Sequence, residues 1–89
     1  MKDEQTINGY RLILTCGACP EQYDVFDGDR QVGYLRLRHG HFRADYPDSG
    51  GETVYEADTI GDGLFDSDER EEHLTKAIDA LKKKDAPTN

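Results

Sequence analysis

The sequence predicts an α+β domain, an antiparallel β-sheet of four to five strands in meander order with one C-terminal α-helix packed on one face. Three observations carry that prediction. Short extended runs rich in β-branched, aliphatic and aromatic residues recur between Tyr10 and Asp58. Turn signals separate them, among them Asp27-Gly28-Asp29 and His39-Gly40. Helical spacing is confined to the end of the chain, where Leu74, Ala77, Ile78 and Leu81 fall at i, i+3, i+4 and i+7. Strands followed by a single amphipathic helix bury one sheet face under that helix.

The elements follow in order. Residues 1–8 are polar and read as a flexible tail, as do 85–89, which leaves an ordered core of about 9–84 in a single domain, 1–89. YRLILT (10–15) is the first strand, and CGACPE breaks it. QYDVF (22–26) alternates and reaches the Asp27-Gly28-Asp29 turn. QVGYLRLR (31–38) and HFRADY (41–46) flank His39-Gly40, a tight two-residue turn in which Gly supplies a positive φ. PDSGG is a loop, and ETVYEAD (52–58) is the fifth strand. Asp66 and Glu69 then form an Asp-x-x-Glu capping box behind Phe65. Acids load the first helical turns and Lys82, Lys83 and Lys84 the last, both in the sense that complements the helix dipole.

Composition narrows the function. The chain has 89 residues and a formal charge of -8, with 35% hydrophobic residues. A net acidic protein is a poor generic binder of nucleic acid or membrane. No apolar run approaches the ~20 residues of a membrane span, and the start MKDEQTINGY lacks the apolar core of a signal peptide. These features place the protein in the cytoplasm, where its two cysteines are thiols or metal ligands before they are a disulfide.

The charge is unevenly spread. Between Arg30 and Arg43 stand four arginines, two histidines and no acid, whereas residues 44–72 set one arginine against eleven acids. A two-residue turn at His39-Gly40 fixes the pairing: Arg38 opposes His41, Leu37 Phe42, Arg36 Arg43, and Leu35 Ala44. Leu35, Leu37, Phe42 and Ala44 then share the face under the helix. Tyr34, Arg36, Arg38, His41, Arg43 and Asp45 share the other. Arginines directly opposite each other repel. Two readings offset that cost: an anion docks there, or carboxylates of neighbouring strands (Asp24, Glu52, Glu56) neutralise the strip from within.

The runs GYLRLRHGHFRADYP, GGETVYEA and GLFDSDEREEHLTKAIDAL, over residues 32–81, resemble the three-stranded-sheet-plus-helix DNA-binding domains of plant ethylene-response factors and of the arm-binding domains of phage tyrosine recombinases. The resemblance rests on Gly40 with Phe42, on Tyr55, and on Gly63-Leu64-Phe65-Asp66-Ser67 leading into the helix. It implies a sheet face whose Arg36, Arg38 and Arg43 contact DNA. This chain departs from the pattern in its acidic helix, in Glu52, Glu56 and Asp58 on the third strand, and in the strands that residues 10–27 add.

Two further patterns bear on metals. Cys16 and Cys19 have the spacing of half a tetrahedral zinc site. The other half would come from His39 and His41, or from YPDSGGE (46–52), which reads like a zinc knuckle with Tyr46 and Ser49 at its cysteine positions. The alternative is a pair of thiols in a turn. DTIGDGLFDSDE (58–69) has the length of a calcium loop, with Asp58, Asp62, Asp66 and Glu69 at ligand positions. Ile60 stands where an oxygen ligand belongs, and Asp66 and Glu69 already serve the capping box. No nucleophile, base and oxyanion donor assemble along the chain. The reading is a small non-enzymatic binding or adaptor protein without a cofactor. It would meet another protein through Tyr34, Arg36, Arg38, His41 and Arg43, and a second copy through an exposed strand edge. A nucleic-acid-binding module is the first alternative, and a domain stabilised by zinc or calcium the second.

Overall fold

The computed structural model describes residues 3–16 and 21–86. It is α+β: six antiparallel strands, β1 (Glu4–Ile7), β2 (Tyr10–Cys16), β3 (Glu21–Asp27), β4 (Arg30–Arg38), β5 (His41–Tyr46) and β6 (Glu52–Asp58), followed by α1 (Arg70–Asp85). The strands lie side by side in chain order, each paired with the next. The sheet is therefore an open meander whose edges are β1 and β6.

The six strands correct the expected four or five. The additional one is β1, in the stretch read from sequence as a tail. Its four residues are largely polar, so hydrophobic alternation does not mark it. It forms because Asn8 and Gly9, at φ 49° and 86°, make a tight turn that folds Ile7 back against Tyr10. Positive φ at both central residues gives the hairpin turn whose twist matches that of its strands, and Asn-Gly is the sequence best suited to it. His39 and Gly40 do the same between β4 and β5, at φ 54° and 72°. The register there is the expected one, with Arg38 against His41 and Arg36 against Arg43.

Alternation then builds two faces. Leu12, Tyr23, Val25, Leu35, Leu37, Phe42 and Ala44 point to one side and are buried. Leu74, Ala77, Ile78 and Leu81 of α1 close over them. Fully burying one such aliphatic or aromatic side chain is worth about 1.5–3 kcal/mol, so this shared core is what holds helix to sheet. Phe65 completes it, edge-on to Phe42 with ring centroids 4.9 Å apart. The helix starts at Arg70, later than the capping box suggested. Glu69 is its N-cap and turns its carboxylate back to the Asp66 N–H at 2.9 Å, while Asp66 accepts from the Asp68 N–H. The box thus closes a turn ahead of the helix.

Both helix ends are pinned to the sheet by ionic groups. At the start, the buried Glu21 carboxylate accepts from Arg70 Nε at 3.0 Å and Nη2 at 3.1 Å, from the Phe65 N–H at 3.1 Å, and from the Tyr23 hydroxyl. At the end, Asp85 accepts from both terminal nitrogens of Arg30 at 2.8 Å, from Tyr46 at 2.7 Å and from Tyr10 at 3.0 Å. Asp85, read from sequence as part of a tail, is the last residue of α1. No helix among the described residues is long and apolar enough to cross a membrane.

Candidate binding face of the sheet

The face of the sheet turned away from α1 carries the basic strip. Register places Gln22, Arg36, Arg43 and Glu56 in one row across β3 to β6. Arg38, His41 and Asp58 make the next row toward the hairpin tip, and Asp24, Tyr34, Asp45 and Thr53 the row on the other side. Arg36, Arg38, His39, His41 and Arg43 line one shallow depression.

The counter-charges within the fold reach only part of the strip. Arg30 lies apart from this face and is held by Asp85 at the helix end. Arg43 donates from Nε to the buried Asp45 at 3.2 Å, and Asp45 is itself held by Thr53 at 2.8 Å and the Gly50 N–H at 3.3 Å. His41 lies between two acids of β6, with Nε2 2.9 Å from Glu56 and Nδ1 3.3 Å from Asp58. Its hydrogen bonds to Asp58 and then Glu56 raise its pKa above the ordinary histidine value. Arg36 and Arg38 differ. Among the described residues neither is paired with a carboxylate, and Arg38 Nε meets only His39 Nε2, at 3.3 Å. The Nε of Arg36 is buried with no hydrogen-bond partner among the described residues. Leaving such a donor unsatisfied costs about 1–3 kcal/mol, and more where the group is charged.

Of the five residues that the sequence singled out, four line the depression. Tyr34 borders it, its hydroxyl donating to Gln22. Glu56, named as an internal neutraliser, serves His41 rather than an arginine. Asp24 sits across from Tyr34 and has its pKa raised by burial. His39 was not singled out for this face; its place follows from the turn geometry, which sequence pattern does not reveal.

The metal candidates are dispersed. Cys16 ends β2 opposite Gln22, and Cys19 lies outside the described residues. In the acidic loop, Glu69 is engaged by the N–H groups of Ile60, Gly61 and Asp66 at 2.9, 2.8 and 2.9 Å. Burial alone would raise its pKa, but these three donors win and lower it. Asp58 turns to His41, and the Asp62 backbone accepts from Gly40 at 2.7 Å, which lays the loop across the hairpin tip. Among the described residues no group of three or more His, Cys, Asp or Glu side chains is placed to hold a metal ion.

No protein-family model matches the chain, and no curated protein or solved structure matches it significantly.

Proposed function

We propose that this protein is a small non-enzymatic binding module that docks an anionic segment of another protein on its open sheet face. One observation carries the reading: Arg36 and Arg38 line one depression on the same face, and among the described residues neither is paired with a carboxylate. An acceptor supplied by a partner would pair with their outer N–H groups and relieve the repulsion between Arg36 and Arg43. Arginine suits the task, because its rigid fork matches a carboxylate or phosphate with paired hydrogen bonds.

The surroundings favour a discrete anionic group over a long polyanion. Glu56 and Asp58 flank the arginines on β6, and the whole chain is at -8. A nucleic-acid duplex would have to lay successive phosphates along that acidic edge, where affinity depends on neutralising each of them.

Amide NMR of labelled protein tests this. An acidic peptide added at low salt is expected to shift residues 34–45, with the shifts shrinking in high salt. A short DNA duplex is expected to move them less. Absence of any shift with peptide at millimolar concentration overturns the reading, and stronger shifts with duplex transfer the face to the nucleic-acid alternative.

A further inference from the structure

We infer that the group this face accepts is a phosphate monoester carried on a side chain of the partner protein, a step that rests on the reading above. The argument is one of donors. Arg43 is matched by Asp45, and His41 lies between Glu56 and Asp58. That leaves Arg36 and Arg38, two guanidinium groups on alternate residues of one strand, both lining the same depression. A phosphate monoester has three terminal oxygens, enough to engage both forks at once. A carboxylate or a phosphodiester has two and is filled by one fork.

Each guanidinium offers five N–H groups and accepts nothing. The Nε of Arg36 is sealed from solvent, so a ligand meets its terminal nitrogens, and Arg38 is exposed. A phosphoryl group brings three strong acceptor oxygens on one tetrahedral centre. It can take the outer N–H groups of Arg36 with one oxygen and those of Arg38 with another. The acids on the β6 side of the depression then act as a filter. Glu56 and Asp58 repel anything negative beyond that single group, so a terminal phosphate enters where a continuous backbone of diesters is turned away.

The test is a titration of the full chain with three versions of one short peptide, carrying phosphoserine, glutamate or serine at the same position, with dimethyl phosphate as a diester control. The phosphoserine peptide is expected to shift amides 34–45 and to bind at least about tenfold more tightly than the glutamate peptide, the scale of one hydrogen bond to a charged group. Arg38→Ala and Arg36→Lys are each expected to lose about that factor. Arg36→Lys keeps the charge and removes the fork, and the exposed Arg38 is removable without touching the core, so thermal melts no lower than wild type separate lost binding from lost folding. Equal affinity for the phosphoserine and glutamate peptides overturns the phosphate inference and leaves the anion-docking face intact. No shift with either overturns both. Tighter binding of dimethyl phosphate than of phosphoserine also overturns the inference, because it reverses the preference for three terminal oxygens.

Discussion

Glu21 shows how much one side chain settles. It is completely buried, yet it keeps a charge partner in Arg70 and further donors in Tyr23 and Phe65. Burial, and then the bond to Glu21, push the Tyr23 hydroxyl pKa well above its ordinary value, so it remains a donor. Breaking a buried ion pair from one side leaves an uncompensated charge. Arg70→Met is therefore expected to cost about 3–5 kcal/mol, read as a lower urea midpoint. A loss below about 1 kcal/mol would mean that water already reaches the carboxylate. His41 makes the opposite case at the surface. It faces Asp58 and Glu56 on β6 and lies beside Arg38, Arg36 and Arg43. Its raised pKa means that the stability it adds is fully present below about 6.5, the unfolded value, and is lost as pH rises through the folded value. A ring titration by NMR is expected to report a midpoint above 6.5 that falls back toward it in Asp58→Asn and Glu56→Gln. A midpoint unchanged by both substitutions would show that these acids do not hold the ring.

The hairpins and the helix differ in how far the sequence discloses them. The β4–β5 register was readable because alternation and the His39-Gly40 turn point to the same pairing, and a one-residue slip would turn Leu35, Leu37 and Phe42 outward. The β1–β2 hairpin was hidden by polarity, although Asn8-Gly9 is the turn dipeptide that should have exposed it. The loop from Thr59 to Glu69 was out of reach. Its organising bonds run from Ile60 and Gly61 to a side chain eight or nine residues on, and no local propensity encodes that distance. The difference between Arg36 and Arg43 was closer to hand. Both read as basic residues on one face, but Asp45 follows Arg43 by two residues in β5 and shares that face, so it reaches Arg43 and not Arg36. Helix–sheet packing is again non-local. Gly33 on β4 sits so close to α1 that an added Cβ would lie 2.5 Å from a terminal carbon of the fully buried Leu81. Gly33→Ala is expected to destabilise by about 1–3 kcal/mol through overpacking, seen as a lower melting temperature, with β4–β5 hydrogen exchange otherwise preserved. A melting temperature equal to wild type would show that the helix can move away without loss.

On the scale of the whole molecule, one core and ionic pins at both helix ends hold a single helix to the sheet, and pH acts on the pins in a definite direction. Asp85 is held well below the usual carboxylate range, first by the hydrogen bonds of Arg30, then by that of Tyr46. Glu69 is lowered by backbone donors. A carboxylate depressed in the folded state contributes stability above its unfolded pKa of about 4, and that stability is lost as pH falls through the folded value. Asp24 has the opposite sign: burial raises it, so its charging costs stability as pH rises. The net charge of -8 adds to that cost at neutral pH, because like charges repel more in the compact state than in the open chain. The urea midpoint is therefore expected to peak near pH 5, between these regimes, and to fall steeply below about pH 4. Asp85→Asn separates the contributions. It removes the charge that Arg30 and two tyrosines address, at a cost of roughly 1–3 kcal/mol at pH 7, toward the low end because Arg30 stands more than half in solvent, where screening weakens the pair. If Asp85 is the acid-sensitive pin, the variant loses less stability than wild type between pH 5 and pH 2. If both lose it in parallel, the acid transition belongs to other carboxylates, Glu69 foremost, and the helix is released first at its N-terminal end.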